Sequence, residues 1–302
     1  MFFTAMLGDN DFLRGHAYYF PLRLRATGAT KVGKKDDSNG EFGAILHEAA
    51  RAYGARGAKT SANLSPAART YLAELGFKNP DEDLDTAALL WMHALAIGFS
   101  PAYLAENRDG IRQDWPRIPL PGSKSALLAS GKLGEQIAAL LDTEAPVDGV
   151  TAGKLRAETK TIAVLSSTSN LSVTAGWGHA SQGGVMPGQG KTLTRAYRPE
   201  EETEQPHLDL LGHSTHDIYL NDTAYWRNVP EKVWDFTIGG YQVMKKWLSY
   251  REHDLLGRPL TPDEAREVTH MARRIAALLL LTPALDANYA TAKASATPLP
   301  AD

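Results

Sequence analysis

The stretch HDIYLNDTAYWRNVPEKVWDFTIGGYQVMKKWLSYR, residues 216–251, decides how the second half of this chain folds. Polar and apolar residues alternate from Asp217 to Leu220, which predicts a short half-buried strand. Asn221-Asp222 then predicts a turn, because both side chains can hydrogen-bond the backbone locally. Gly239-Gly240 breaks the chain a second time, so whatever follows it forms a separate element.

A short helix is predicted after that second break. Four residues from Tyr241 to Arg251 recur at helical spacing, and Lys245 and Lys246 are displaced around the helix. Aromatic residues beside cations have two interpretations. In one, the helix is held on the core by its aromatic rings and the lysines are simply solvated. In the other, the cations meet phosphates and a few side chains reach base edges. The local pattern leaves both open.

Four blocks of the sequence resemble a known family. Residues 219–252 are similar to the C-terminal specificity region of type ISP restriction-modification enzymes and related N6-adenine DNA methyltransferases. So are LWMHALAIGFSPAYLAENRDGIRQDWPRIPLP at 90–121, AGWGH with MPGQGK between 175 and 191, and RRIAALLLLTPALDANY at 273–289. The blocks occur in the family's order from about Tyr19 to Tyr289. The resemblance implies target recognition on double-stranded DNA and a part in phage defence.

Bulk composition limits the class of protein. The 302 residues are 43% hydrophobic and 22% charged, as in ordinary globular proteins. A net charge of −3 means that any DNA-binding surface must be a local patch. The absence of cysteine excludes disulfides and suits a reducing cytoplasm. The N-terminus does not read as a signal peptide, and the apolar run at 275–281 is too short for a membrane span. We therefore expect a cytoplasmic protein with no membrane partner.

The order of predicted elements indicates an α+β fold with a helical N-terminal lobe and a mixed α/β C-terminal recognition lobe. A strand or extended segment is expected near Tyr18–Leu24, then helices at 42–53, from Pro66 behind a Ser65 cap, and at 85–99. His93 lies near the apolar stripe of the last of these and is interpreted as a core histidine. A proline-rich strap at 115–121 marks the predicted boundary. The predicted domains are residues 1–121, residues 122–290 and a disordered tail at 291–302.

The second lobe is predicted to mix helices, short strands and loops. Helices are expected at 126–141 and from Pro262 to Leu281, the latter opened by a Thr261–Glu264 capping box. The strands are predicted at 162–165, 171–175 and 193–197. The Gly-rich run at 176–192 and the acidic run at 200–204 are interpreted as loops.

Several short motifs resemble known catalytic or nucleotide-binding patterns, but each lacks a residue that the pattern requires. GQGKT lacks the glycine five residues before Gly190 that a phosphate loop requires. GHSTH ends in His216 where a nucleophile elbow needs glycine. His47-Glu48 lacks the second histidine of a zincin. His207, His213, His216 and Asp217 could converge on zinc, but histidines scattered in a polar loop are more often solvated.

The motifs of the related methyltransferases themselves are also missing. No Asn/Asp-Pro-Pro-aromatic segment occurs, since Asn79-Pro80 is followed by Asp81, and no Gly-rich loop suits S-adenosylmethionine. Helicase and nuclease signatures are missing too. We therefore expect no catalysis by this chain and no cofactor in it. By the resemblance, S-adenosylmethionine would bind in a separate methyltransferase domain or subunit.

The leading hypothesis is a DNA sequence-recognition module that positions such a methyltransferase. The cations predicted to contact phosphates are Lys191, Arg195, Arg198, Arg227, Lys245, Lys246 and Arg251. The glutamines predicted to address adenine edges are Gln182, Gln189 and Gln242. The alternative is an assembly module that docks on the methyltransferase with little DNA contact, which the near-neutral charge and helical first lobe favour. An autonomous enzyme is disfavoured by every missing motif.

Overall fold

A computed structural model describes residues 21–25 and 60–297 of the chain. The helix predicted at 42–53 lies outside the described residues. The first three residues of the extended segment predicted at Tyr18–Leu24 also lie outside them, and the end of that segment overlaps the first described strand.

Helices and strands are numbered here within the described residues. The helices are α1 (Pro66–Glu74), α2 (Leu84–Gly98), α3 (Pro101–Glu106), α4 (Arg108–Gln113), α5 (Lys124–Leu141), α6 (Ala157–Lys160), α7 (Gln205–Leu211), α8 (Glu231–Trp234), α9 (Val243–Ser249), α10 (His253–Leu256), α11 (Pro262–Leu280) and α12 (Thr282–Ala294). The strands are β1 (Arg23–Arg25), β2 (Thr60–Ala62), β3 (Val164–Leu165), β4 (Gly178–Ser181), β5 (Gly184–Pro187), β6 (Thr192–Arg195), β7 (Thr215–Tyr219), β8 (Tyr225–Pro230), β9 (Thr237–Ile238) and β10 (Tyr241–Gln242).

The mixture of helices with small antiparallel sheets confirms the α+β prediction. Among the described residues the strands form one four-stranded sheet, ordered β3-β8-β7-β6, and three two-stranded ladders. The chain divides into two compact units, one of Met1–Ala138 with Leu285–Asp302 and one of Ala139–Ala284. The predicted boundary at residue 121 between functional lobes stays a prediction, since compactness alone does not test it.

The described part of the first unit holds the β1–β2 ladder and several helices, two of which cross closely at a glycine. Ser65 caps α1 by accepting a hydrogen bond from an N–H of the first turn, and Pro66 opens the helix, as predicted. Helices α2 and α5 approach so closely that a Cβ on Gly134 would lie 1.9 Å from the Met92 carbonyl oxygen. Glycine at 134 is therefore required by the helix crossing, since no side chain fits there.

His93 lies in the interior of this first unit. Its ring is fully buried and its two nitrogens lie 2.6 Å from the Ser130 hydroxyl and 2.9 Å from the Pro119 carbonyl oxygen. Burial lowers the pKa of His93. The interpretation as a satisfied core histidine is confirmed, and the strap that supplies the Pro119 carbonyl has neither helix nor strand between 115 and 120.

The second unit is organised around the four-stranded sheet and helix α11. The core beneath the sheet includes fully buried Trp177 and Trp226, and the indole N–H of Trp226 donates to the Ala265 carbonyl on α11. The predicted Thr261–Glu264 capping box opens α11. A hydrogen bond from Arg258 is the main reason that the pKa of Glu264 is lowered to about 2.

Four predicted elements differ from the structure. Residues 171–175 form no strand, although Leu171 and Val173 accept backbone hydrogen bonds from Leu260 and His253. The Gly-rich run contains the β4–β5 hairpin. The acidic run is followed directly by α7, which was not predicted. Helix α12 extends to Ala294, so the first four residues of the predicted disordered tail are helical.

The sequence predicts that the apolar run at 275–281 is too short to span a membrane. No single helix in 21–25 and 60–297 is long and apolar enough to cross a membrane, while α11 and α12 pass the same length and composition test when taken together.

Candidate nucleic-acid interface

The β4–β5 hairpin is held at its base by one buried tryptophan. Trp177 is fully buried, and its indole N–H donates to the Tyr219 carbonyl at 2.8 Å. The chain returns across this ring at Gly190, where a Cβ would lie 2.1 Å from the indole. The Gly190 N–H also donates to the Gly176 carbonyl at 3.0 Å, which closes the loop. The glycines of GQGKT are therefore required for packing, which is a sufficient reason for them without a bound phosphate.

A buried carboxylate ties the same hairpin base to the end of helix α9. Glu252 is buried and accepts hydrogen bonds from the backbone N–H groups of Gly176 (3.0 Å) and Trp177 (2.8 Å). At the start of β4, a Cβ on Gly178 would lie 2.0 Å from the Ser249 carbonyl oxygen, and both β4 and β5 pack against α9. The hairpin and the predicted lysine helix are thus neighbours in the fold.

Helix α9 presents cations stacked on aromatic rings. The Lys246 ammonium lies 5.0 Å from the ring centroid of Tyr241 and 4.5 Å from that of Tyr250, and both tyrosine residues are 48% exposed. The Arg251 guanidinium lies 3.7 Å from the ring centroid of Trp247. Such contacts orient a cation without neutralising it, because the rings carry no net charge. Lys245 is half-buried on the same helix, and no described carboxylate pairs with these three cations.

These two neighbouring parts of the chain have an unusual charge. We call residues 175–194 and 236–251 the hairpin–helix surface. Its sequence holds Lys191, Lys245, Lys246 and Arg251 and no Asp or Glu, a formal charge of +4 in a chain whose net charge is −3. Lys191 reaches outside the surface to pair with Asp222 at 2.9 Å and also lies over the Tyr219 ring. Asp222 is 94% exposed, so this pair is weak and open to exchange.

The other predicted phosphate contacts lie elsewhere. Arg195 has a side chain only 15% exposed, and it forms ion pairs with Glu201 (2.6 Å) and Asp217 (2.8 Å). The hydrogen bond to Asp217 is the largest influence that raises the pKa of Arg195. Arg198 is half-buried beside Glu201, to which its N–H donates, and Arg227 is half-buried on β8, two strands from β6. The two ion pairs of Arg195 give it a structural role in the sheet. A DNA contact by Arg195, Arg198 or Arg227 stays a prediction.

The ion pairs of Arg195 belong to a larger buried polar network. Burial by itself would raise the pKa of Glu201, but hydrogen bonds from Arg195 and from the Arg198 N–H hold it below its usual value. Asp217 also accepts from the backbone N–H of Asn228, a residue with φ of +58°. The network joins β6, β7 and β8, so its charges stabilise the sheet from which the hairpin–helix surface extends.

The three predicted base-reading glutamines differ in availability. Gln182, at the tip of the hairpin, and Gln189, after β5, are exposed. Gln242 is half-buried and its side-chain amide donates to the Trp234 carbonyl. The sequence interpretation named no candidate among His179, Ser181 and Met186, because it treated their segment as a loop, whereas the structure places them on paired strands. The two-residue connection Gln182-Gly183, followed by Gly184, was the available indication of a hairpin.

The histidines weighed as zinc ligands have other partners. His207 and His216 each lie within hydrogen-bond distance of a threonine hydroxyl, and His213 pairs with exposed Asp209 at 3.4 Å. Burial is the main cause that lowers the pKa of His216, whose ring lies near that of Trp234. Within the described part of the chain, no three His, Asp or Glu side chains are grouped so as to hold a metal ion.

Comparison of the sequence with known protein families gives a match over most of the chain. A model of the type ISP C-terminal specificity domain matches residues 1–277. The matched range contains the whole hairpin–helix surface and most of α11. No curated protein and no solved structure matches the chain.

Proposed function

Because the chain belongs to the type ISP C-terminal specificity domain family, we propose that it binds double-stranded DNA directly and selects where a partner enzyme domain acts. A domain of this family serves target recognition in a restriction-modification enzyme. The observation that supports direct DNA contact is the hairpin–helix surface, whose own residues carry a formal charge of +4. Its neighbouring carboxylates are Glu252, which is buried at the hairpin base, and the exposed Asp222 and Asp235. Polyanionic DNA is bound through such local cationic patches even by proteins of negative net charge.

Within this surface the residues have different parts. Lys245, Lys246 and Arg251 contact phosphates and fix the register of the protein on the duplex. Lys191 exchanges Asp222 for a phosphate, which costs little because the pair is solvent-exposed. Contact of the Lys246 ammonium with the Tyr241 and Tyr250 rings restricts this side chain before DNA binds, so that less side-chain entropy is lost on binding.

Fluorescence anisotropy with the full 302-residue chain and a labelled duplex tests DNA contact. We expect binding that weakens steeply as salt rises, because condensed counterions are released from the phosphates. A chain that binds no duplex at low salt would contradict the proposal. Single-stranded DNA of the same length is the matched competitor and should compete less well.

We further propose that the partner domain is an N6-adenine DNA methyltransferase in the cytoplasm, and that it, not this chain, binds S-adenosylmethionine. The resemblance of the four sequence blocks supports this partner. Transfer of a labelled methyl group to duplex DNA, measured with this chain alone and with a methyltransferase domain added, tests it. Turnover by this chain alone would contradict the assignment of catalysis to a partner.

A second candidate function concerns the first unit, which we propose docks on the partner enzyme domain. Leu84 (61% exposed), Leu104 (45%) and Leu128 (47%) present large apolar side chains to solvent on α2, α3 and α5. The fully buried centre of a protein–protein interface is more apolar than the rest of a protein surface. Replacement of all three by Ser should weaken binding to the enzyme domain without changing DNA affinity. Unchanged binding to that domain would contradict the docking role.

A further inference from the structure

We propose that the β4–β5 hairpin is the element that reads base pairs, that it enters the major groove, and that Gln182 at its tip determines specificity for one base. This inference rests on the proposed DNA-binding function and assigns the readout within the hairpin–helix surface. It therefore separates the residues that position the protein from the residues that recognise sequence.

The first support is that the hairpin is exposed beyond its base. Every residue from His179 to Pro187 is exposed except Val185, which is half-buried. A ribbon lying flat on a protein would bury alternate residues along its length. A Cβ on Gly183 or Gly184 would meet no atom within 4 Å, so there is free space beside both glycines of the tip.

The second support is the chemistry of the hairpin's outward side. The register pairs His179 with Met186, so these side chains share one side of the ribbon, and Ser181 lies on that side two residues on. Gly178 and Val185 lie on the opposite side, which packs towards α9. The outward side thus offers an imidazole and a thioether, while the Ser181 hydroxyl is used within the turn. The imidazole suits base-edge donors and acceptors, and the thioether suits the thymine methyl group.

Dimensions decide which groove the hairpin can enter. Two antiparallel strands lie about 4.8 Å apart, and four residues of strand extend about 13 Å. With side chains, such a ribbon fits the major groove, about 12 Å wide, and not the minor groove, about 6 Å wide. The major groove also distinguishes all four base pairs, whereas the minor groove separates mainly A·T from G·C.

Gln182 is the best placed of the three glutamines for this readout. It occupies the turn between Ser181 and Gly184, which is fixed by the Ser181 hydroxyl donating to the Gly184 carbonyl at 2.9 Å. No group in the described part of the chain hydrogen-bonds its side-chain amide. Gln242 already donates to a backbone carbonyl, and Gln189 lies at the hairpin base between the packed Gly188 and Gly190. A glutamine amide matches the N6 and N7 atoms of adenine, so A·T is the expected base pair.

Selection from a randomised duplex pool with the full chain tests the assignment. Wild type and the variants Gln182→Ala and Gln182→Glu are compared, with Gln136→Ala, an exposed glutamine on α5, as the control. Loss of one bidentate contact should reduce discrimination at one base pair by roughly 5- to 150-fold in Gln182→Ala. Gln182→Glu should shift the preference there from adenine towards cytosine, because a carboxylate accepts from cytosine N4. Gln136→Ala should select the wild-type sequence.

The possible outcomes separate this inference from the proposed function. If all four proteins bind DNA and select one sequence with equal discrimination, the hairpin does not read bases, while DNA binding stands. If discrimination changes at one position and affinity for random duplex does not, the hairpin assignment is supported. If wild type binds no duplex, the proposed function fails and the hairpin assignment fails with it.

Discussion

Replacement of Lys245 and Lys246 by Ala should weaken binding to every DNA sequence and reduce its salt dependence. Neither ammonium is paired with a described carboxylate, and that of Lys246 lies within 5.0 Å of the ring centroids of Tyr241 and Tyr250. Each phosphate contact changes the slope of log K against log salt by about 0.9. Loss of two contacts should therefore flatten the slope by about 1.8.

The same relation gives the size of the affinity loss. At 0.1 M salt, a tenfold dilution from 1 M, two lost contacts weaken binding by about 60-fold, or about 2.5 kcal/mol. Near 0.3 M the loss falls to about 9-fold, and near 1 M the two isotherms should coincide. The difference between the proteins is thus predicted to vanish at high salt.

Anisotropy titrations at four salt concentrations measure both quantities. The matched control is Lys132→Ala with Lys154→Ala, two exposed lysines outside the hairpin–helix surface that have no ion pair with a described residue. This control variant should keep the wild-type slope of log K against log salt. Parallel plots for wild type and the Lys245/Lys246 variant would refute the reasoning, since they would mean that no counterions are released at this helix.

Three further predictions concern the scaffold beneath the surface. Arg195→Met should lower the free energy of unfolding, measured in urea, by about 3–5 kcal/mol, because two buried carboxylates lose their partner. The control Arg266→Met, which breaks an exposed ion pair, should lower it by less than about 1 kcal/mol. Equal losses in the two variants would contradict the network's role. Gly190→Ala should lower the unfolding midpoint by an amount equivalent to about 1–3 kcal/mol, because its Cβ would overlap a buried indole, while Gly183→Ala should unfold as wild type does. The pKa of Glu264 is about 2 in the folded protein against 4.5 for the free side chain, so its contribution to stability is present above pH 4.5 and is lost as pH falls towards 2. Glu264→Gln should be less stable than wild type at pH 6 and approach it at pH 2, and a constant difference would show that the ion pair contributes nothing.

Local patterns in the sequence determined several elements correctly. The Ser65 and Thr261 caps, the helix at 84–98 and the buried His93 all depend on side chains within a few residues or on one helical stripe. Such features are set by short-range hydrogen bonds and periodicity, which are visible in a linear sequence. The resemblance of longer blocks gave the family, which the match over residues 1–277 confirms.

Tertiary structure alone decided which cations are available to a ligand. In the sequence, Arg195 and Lys245 are equally good phosphate contacts. In the fold, Arg195 lies between two buried carboxylates, one of them 22 residues away on a paired strand, while Lys245 pairs with no described carboxylate. The charge that a side chain offers to DNA depends on its distance to other charges, and strand pairing sets that distance.

The glycine-rich run shows the same limit for backbone structure. Its composition predicts a loop. The structure places Gly190 against the Trp177 ring and Gly178 against the end of α9, and it pairs the residues between them as a hairpin. The sequence by itself specified where small residues stand; only long-range packing decided that they are needed for contact with an indole and a helix end. The physical reason is that close packing depends on the atoms that arrive from elsewhere in the chain.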